Sequence, residues 1–143
     1  MSDHHRIVCP HCGETTQLHH KPAKGNVCAA CDKPLFPGKP ILLTGDSFDA
    51  HIEACDLPVL VDFFADWCAP CIRMEPLFAQ AAGHLEPRVR LAKVDTDEEQ
   101  ALAGRHGIRG LPTMVLFKDG KEIAREAGAM SLNHLLAWVE GHL

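Results

Sequence analysis

The sequence predicts an α/β domain, with a mixed central sheet and helices on both faces, preceded by a small cysteine-rich module. After residue 40, apolar patterns typical of strands alternate with helical ones, as in α/β proteins. Two of three Cys-x-x-Cys pairs lie before residue 40. The net charge changes there as well, from +2 over residues 1–40 to −7 over residues 41–143. We therefore expect an N-terminal module (residues 1–40) and a larger domain (residues 41–143).

Composition excludes several classes of protein. No run of about 18 apolar residues is present, so no transmembrane helix is expected. The acidic larger domain argues against nucleic-acid binding. The first six residues, Met1 to Arg6, lead into a cysteine rather than an apolar stretch, which argues against a secretory signal peptide. We expect a monomer in the cytoplasm, where seven cysteines indicate metal binding or redox catalysis.

The N-terminal module contains the ligands of a metal site. Cys9 and Cys12 form one pair, and Cys28 and Cys31 form a second after fifteen residues. Two such pairs, each on a tight turn, build the tetrahedral sulfur cage that zinc prefers. About 40 residues cannot bury enough apolar surface to fold alone, whereas a structural metal can supply the missing free energy. The sequence predicts one structural Zn²⁺ in a zinc-ribbon-like module.

Two alternatives remain for these cysteines: two local disulfides, or a disordered segment that binds metal adventitiously. A histidine, either His11, His19 or His20, could also replace one thiolate. Prolines between residues 34 and 40 predict a stiff linker to the larger domain.

The larger domain is predicted to contain three strands and three helices in alternation, then a hairpin and a last helix. The strands are expected at 41–44, 58–65 and 89–94, the helices at 46–55, 68–85 and 97–107, and the hairpin strands at 114–118 and 121–127. Asp119-Gly120 is the favoured two-residue hairpin turn. Pro76 predicts a kink in the second helix.

Three helix caps are predicted from side chains that can accept a backbone N–H. Asp46 or Ser47 would cap the first helix of the larger domain. Asp97 with Gln100 resembles a capping box. Ser131 would cap the last helix, whose apolar face contains leucines and a valine between residues 132 and 139.

The segment from Trp67 to Cys71 carries the redox chemistry. It lies where an apolar strand ends and a helix begins, so Cys68 at the N-cap faces free N–H groups and the positive end of the helix dipole. Both effects favour a thiolate. Cys68 is therefore the expected nucleophile, and Cys71, one turn deeper, would resolve the mixed disulfide. The alternative, half of a metal site, is disfavoured because Trp67 and Pro70 would crowd an ion.

Two charged residues are candidate catalytic partners of these cysteines. Asp62 lies inside an apolar run, where desolvation would raise its pKa and suit it to carry a proton for Cys71. Lys93 shares the inward strand parity of Val89 and Leu91, and Asp62 is its best available partner. Alternatively, Asp62 is a structural carboxylate and Lys93 reaches solvent from a strand end. Cys55 is interpreted as an inert thiol.

Five motifs in order resemble thioredoxin over residues 41–143: Val61-Asp62-Phe63, Trp67-Cys68-Ala69-Pro70-Cys71, Pro76, residues 107–113 and Gly128-Ala129. The four-cysteine module resembles that of the second, zinc-carrying type of bacterial thioredoxin. The resemblance implies the thioredoxin fold and a cis peptide bond at Leu111–Pro112. It also implies a substrate groove, formed by Trp67, Ala69, Pro70, Gly110, Leu111, Pro112, Gly128 and Ala129. Two positions depart from the family pattern: Phe64 stands where tryptophan is usual, and Ala69 where glycine is usual.

The leading functional hypothesis is a reductase of protein disulfides that is regenerated by an NADPH-dependent thioredoxin reductase. An oxidase or isomerase would use the same cysteines in the opposite direction. In a third hypothesis the N-terminal module is a protein-binding adaptor. In a fourth it is a redox switch that releases zinc on oxidation.

Overall fold

A computed structural model describes residues 4–143, which form two separate β-sheets. The first sheet is an antiparallel hairpin in the N-terminal module, made of β1 (His5–Val8) and β2 (Thr15–Leu18). The second sheet contains five strands: β3 (Ile41–Leu42), β4 (Val59–Phe64), β5 (Arg90–Asp95), β6 (Thr113–Lys118) and β7 (Lys121–Ala127). Three α-helices accompany it: α1 (Ala69–Leu85), α2 (Gln100–Arg105) and α3 (Leu132–Glu140). A short π-helical turn, Ala50–Ala54, lies between β3 and β4.

The five-stranded sheet is mixed, in the order β3-β5-β4-β6-β7. Strands β3, β5 and β4 are parallel, whereas β6 is antiparallel to β4 and β7 is antiparallel to β6. This arrangement confirms the α/β architecture with a terminal hairpin. It places β4 at the centre of the sheet, so that its carboxyl end can present the residues that follow it.

Each face of the large sheet carries its own hydrophobic core. Leu60 of β4 packs with the apolar sides of α1 and α3, including Phe78 and Leu135. Val61 and Phe63 belong to the core on the opposite face. Successive residues of a strand alternate between the two faces of its sheet. Asp62, two residues after Leu60, is therefore on the face that α1 covers.

A third core joins the N-terminal module to the larger domain. Ile7 and Leu35 of the module are buried together with Cys55 and Leu57. Beside this core, the backbone N–H of Arg6 donates to Asp56 Oδ2 at 2.7 Å, and the Asp56 N–H donates to the Arg6 carbonyl at 2.8 Å. The module is thus packed on the segment that leads into β4.

Ser131 is the predicted cap that the structure confirms, since its Oγ accepts a hydrogen bond from the His134 N–H at 3.1 Å. The Asp97 cap is wrong: α2 begins at Gln100 after Glu99, without a side-chain cap. Instead, Asp95 Oδ1 accepts from the N–H of Asp97 at 3.0 Å. In place of the helix expected at 46–55, the structure has the shorter π-helical turn Ala50–Ala54. The predicted cap by Asp46 or Ser47 is also wrong, since no side chain caps this turn. The Ser47 hydroxyl accepts from Thr44 instead.

The backbone contains the cis peptide bond expected at Leu111–Pro112, and a second one at Glu86–Pro87 that was not expected. Pro76 lies inside α1, as predicted. Strand β3 is shorter than the expected 41–44, although the Leu43 N–H still donates to Lys93 at 2.9 Å. Among residues 4–143, no helix has both the length and the apolar character needed to cross a membrane.

Candidate active site

Cys68 is the N-cap of α1, four residues after Phe64, where β4 ends. Its Sγ accepts a hydrogen bond from the Cys71 N–H at 3.3 Å, as the sequence predicts. Cys68 and Cys71 form a disulfide, with their Cα atoms 5.2 Å apart. Pro70 occupies the first turn of the helix, where the missing N–H leaves no hydrogen bond unmade.

The two cysteines differ in their surroundings rather than in their exposure. Cys68 is 5% exposed and Cys71 is 4% exposed, so accessible surface does not distinguish the expected nucleophile from the thiol expected one turn deeper. Cys68 lines a groove of about 460 Å³ together with Trp67, which we call the Trp67 groove. Cys71 lines a second cavity of about 520 Å³ together with Asp62, which we call the Asp62 cavity. The disulfide therefore lies between an open groove and a cavity that contains a buried acid.

The Trp67 groove contains half of the residues predicted to bind substrate. The predicted residues that line it are Trp67, Ala69, Pro70 and Leu111. The groove is completed by four residues that sequence reasoning missed: Thr96, Ala103, Ile108 and Arg109. Thr96 follows β5 and Ala103 lies in α2, and no motif marks either of them, because only the fold brings α2 to the active-site end of the sheet. Ile108 and Arg109 lie in the motif at residues 107–113, but neither was predicted to bind substrate.

The other predicted substrate residues lie outside the lining of the Trp67 groove. Pro112 and Gly128 are joined by a hydrogen bond, in which the Gly128 N–H donates to the Pro112 carbonyl at 2.8 Å. This bond continues the pairing of β6 with β7 and keeps the two segments side by side. Gly110 and Ala129 are exposed next to them.

Asp62 is almost completely buried, with 1% of its surface exposed. Its Oδ1 atom has no hydrogen-bond partner among the described residues. Burial raises the pKa of Asp62 to about 7; the Lys93 ammonium opposes this rise and the Glu75 carboxylate adds to it. A carboxyl group in this state can both accept and release a proton near neutral pH. This is the environment that the sequence predicts for Asp62.

The predicted ion pair between Lys93 and Asp62 is wrong. Lys93 lies opposite Asp62 in the register of β4 and β5, but its Nζ pairs with Oε1 of Glu75 at 3.7 Å. The ammonium also lies over the ring of Phe64, 4.5 Å from the centroid. Phe64 thus supports a cation–π contact at the position where the family usually has tryptophan. The lysine is held at the edge of the Asp62 cavity by α1 and by the end of β4.

The four cysteines of the N-terminal module come together as predicted. Their Sγ atoms all lie within 4.8 Å of one another. Cys9 and Cys31 are 3.7 Å apart, and Cys12 and Cys28 are 3.6 Å apart. Sulfurs about 2.3 Å from a tetrahedral ion are separated by roughly 3.8 Å, so these distances fit a bound metal. The residues present can therefore hold one metal ion with four thiolates.

Backbone amides support the two cysteine turns. The His11 N–H donates to Cys9 Sγ, and the Ala30 N–H donates to Cys28 Sγ, each at 3.3 Å. Burial disfavours the Cys28 thiolate, but hydrogen bonds from the amides of Cys31 and Ala30 and from the side chains of Cys12 and Thr16 together lower the pKa of that thiol to about 6. The group of possible ligands contains no histidine in the described part of the chain. The predicted alternative of a histidine ligand at His11, His19 or His20 finds no support, since none of the three belongs to this group.

Comparisons with known proteins agree with this geometry. The family model described as Thioredoxin matches residues 39–141. Thioredoxin C-3 of Corynebacterium nephridii is 38% identical over 138 residues, covering 96% of this chain and 94% of that protein. A thioredoxin of Rickettsia bellii is 36% identical over 101 residues, covering 71% of this chain and 96% of its own length.

Solved structures give the same result. A mutant thioredoxin from Halobacterium salinarum superimposes with a TM-score of 0.67 at 38% identity, covering 73% of this chain and 91% of that one. The region that the family model matches contains β4, α1 and the cysteine pair between them. The chain therefore belongs to the thioredoxin family of protein-disulfide reductases.

Proposed function

We propose that this protein reduces protein disulfides by dithiol–disulfide exchange through Cys68, Ala69, Pro70 and Cys71. The observation that carries the proposal is the position of Cys68 Sγ at the N-terminus of α1, bonded to the Cys71 N–H. Hydrogen bonding and the helix dipole both favour a thiolate there. The Trp67 groove beside Cys68 offers an apolar surface for the substrate.

In the first step, the Cys68 thiolate attacks one sulfur of the substrate disulfide. A Cys68–substrate disulfide forms as the substrate S–S bond breaks. The second substrate sulfur leaves as a thiolate and takes a proton from water. In-line attack needs access to one face of Cys68 Sγ, which the Trp67 groove provides.

In the second step, Cys71 attacks Cys68 and releases the substrate. The Cys71 thiol gives its proton to the Asp62 carboxylate within the Asp62 cavity, which both residues line. The resulting thiolate displaces the remaining substrate sulfur, which leaves with the bonding electron pair and is protonated in turn. Two electrons pass to the substrate, and Cys68 and Cys71 become a disulfide. Lys93 contributes its charge at the edge of the same cavity.

Regeneration requires a reductant for that disulfide. Thioredoxins are reduced by a thioredoxin reductase, and we propose an NADPH-dependent enzyme of this class for this chain. A cytoplasmic monomer fits this cycle, because a reducing compartment keeps Cys68 and Cys71 available as thiols.

We infer that the metal of the N-terminal module is Zn²⁺ in a structural role. Four thiolates at near-tetrahedral spacing favour zinc over ions that prefer oxygen ligands. A site with four protein ligands leaves no open position for substrate, which supports structure rather than catalysis. The family model begins at residue 39, which supports a division of the chain into residues 1–40 and 41–143.

Cysteine variants test the proposal in an insulin-reduction assay with NADPH and thioredoxin reductase. C68S should abolish reduction. C71S should accumulate a mixed disulfide with substrate, visible on a non-reducing gel, because the second step cannot occur. Wild-type activity in C68S would overturn the proposal. A zinc determination on the same sample should give one ion per chain, and the absence of zinc in active, folded protein would exclude the inferred metal.

A further inference from the structure

We propose that Glu75 is a positioning residue of the exchange reaction, which holds the Lys93 ammonium at the mouth of the Asp62 cavity and away from Asp62. This inference rests on the proposed role of Asp62 as the base for Cys71. Glu75 belongs to none of the motifs that carry the resemblance to thioredoxin, and the two exchange steps do not use it directly.

The Asp62 cavity gathers charges from every element around it. Asp62 comes from β4, Lys93 and Asp95 come from β5, Glu75 and the titratable thiol of Cys71 come from α1, and Asp66 comes from the loop after β4. The remaining lining residues are apolar: Pro40, Leu42, Phe64, Ala65 and Ile72. On the other side of Asp62, its neighbour on β6 is Met114, which carries no charge. Lys93 is thus the one cation among the residues that line this cavity.

The position of Lys93 is fixed by two contacts that point it outward. Its Nζ is 3.7 Å from Glu75 Oε1 and 4.5 Å from the centre of the Phe64 ring. Lys93 and Asp62 are register partners on adjacent parallel strands, and such strands lie only about 4.8 Å apart. A flexible lysine at this position can turn its ammonium towards the unpartnered Asp62 oxygen. The contact with Glu75 opposes that movement.

Glu75 acts on Asp62 in a second way, through its own charge. A nearby cation favours an ionised carboxyl group, and a nearby anion favours the protonated one. The Lys93 ammonium and the Glu75 carboxylate therefore act on Asp62 with opposite signs. Removing Glu75 deletes an anion and also frees Lys93 to approach Asp62. Both consequences favour the carboxylate, so the sign of the effect does not depend on which one is larger.

A purely structural role for this pair would be small. The Glu75 side chain is 65% exposed and that of Lys93 is 21% exposed, and ion pairs of this kind contribute little to folding. Loss of Glu75 should therefore leave the fold intact while it changes the protonation of Asp62. A pH titration distinguishes this effect from a loss of stability.

The experiment titrates Asp62 in the reduced protein by carboxyl ¹³C NMR, and measures the pH dependence of insulin reduction. In E75Q the Asp62 midpoint should fall by about half a pH unit or more from its value near 7, and the alkaline rise of the rate should move the same way. K93M should move both in the opposite direction. The Asp62 midpoint in E75Q/K93M should lie below that in K93M, but by less than the midpoint in E75Q lies below that of wild type. The fall is smaller because the double variant has no Lys93 ammonium that could move towards Asp62.

The matched control is E53Q, which removes an exposed carboxylate from the π-helical turn and should leave the Asp62 midpoint unchanged. An unchanged midpoint in E75Q would overturn the inference. D62N separates this failure from failure of the proposed function. If D62N leaves the pH–rate profile unchanged, Asp62 is not the base; if D62N changes it and E75Q does not, only the role of Glu75 is wrong.

Discussion

Arg90 and Glu86 form an ion pair in the interior of the protein, with Nη1 3.5 Å from Oε2 and the side chains 0% and 2% exposed. Arg90 also donates to the carbonyl oxygen of Leu35 at 2.7 Å and to that of Val8 at 3.2 Å. Glu86 accepts from the Gly38 N–H at 2.7 Å. The larger domain thus contributes a buried ion pair whose hydrogen bonds end on three backbone groups of the N-terminal module. This pair docks the module onto the sheet.

We expect Arg90→Met to destabilise the protein strongly. The substitution leaves Glu86 buried without its counter-charge and leaves two module carbonyls without a donor. Loss of one partner of a buried ion pair costs about 3–5 kcal/mol. Urea denaturation should measure this loss. Chelator competition should show faster release of a bound metal, because Cys9 and Cys28 belong to the core that joins the module to the larger domain.

Arg88→Met is the matched control, since Arg88 lies two residues away and pairs with Glu140 on the surface, both side chains being about half exposed. Exposed pairs contribute little, so this variant should lose far less stability. Equal losses in the two variants would contradict a docking role for Arg90. In R90M/E86Q, part of the loss should be recovered, because no buried charge remains unpaired.

Local sequence was sufficient where a single segment determines its own structure. The hairpin turn at Asp119 and Gly120 forms as predicted, with positive φ angles of 54° and 79° that the Asp-Gly pair tolerates well. Strand β4 forms from its apolar run, and Cys68 caps α1 by accepting the Cys71 N–H three residues later. Ser131 caps α3 for the same local reason.

Sequence reasoning failed where partners come from other elements. Asp97 does not cap α2; its Oδ2 atom instead accepts a hydrogen bond from the Nε1–H of Trp67, 30 residues away in the chain. Lys93 pairs with Glu75 of α1, a contact that strand parity cannot reveal. The sequence around Arg90 indicates only a strand residue. Its hydrogen-bond acceptors in the module are 55 and 82 residues away in the chain, so no local pattern reveals them.

Removal of the metal should unfold the N-terminal module and spare the larger domain. The module core includes Cys9 and Cys28 among few apolar residues, whereas the two cores of the large sheet contain no metal ligand. In C28S, hydrogen exchange followed by mass spectrometry should show β1 and β2 exchanging quickly, while β4 and β6 remain protected. Small modules depend on their metal for most of their folding free energy.

The control for this loss is C55S, which changes a buried thiol of the same core that is not one of the four clustered cysteines. This variant should retain one metal ion per chain. Protection of β1 and β2 in metal-free C28S would exclude a structural role for the metal.

Asp62→Asn should stabilise the protein at alkaline pH. The usual pKa of an aspartate is 3.8, and burial raises that of Asp62 to about 7 in the folded state. Between these values the folded protein holds a proton that the unfolded chain has released, so stability falls as the pH rises from about 4 to about 7 and then levels off. Asparagine cannot ionise and avoids this loss, which is on the order of 4 kcal/mol.

Urea denaturation at pH 4.5 and at pH 8.5 should therefore show a larger advantage of D62N at the higher pH. The control is D46N, which changes an exposed aspartate and should follow wild type at both values. An advantage of D62N that is equal at the two pH values would show that ionisation of Asp62 is not its cause.

Asp97→Ala should weaken the binding of protein substrates without slowing the chemical steps. The Trp67 ring is 71% exposed at the Trp67 groove, and its Nε1–H donates to Asp97 Oδ2 at 2.8 Å. Without this bond the ring loses its fixed orientation, and each substrate must order it on binding. We expect KM for insulin to rise about threefold to tenfold at nearly constant kcat.

D97N, which keeps an acceptor oxygen, should restore part of the affinity. W67F keeps an aromatic ring but removes the donor, so adding D97A to W67F should change KM little. A full threefold to tenfold rise in that background would show that Asp97 acts on substrate binding by a route other than Trp67.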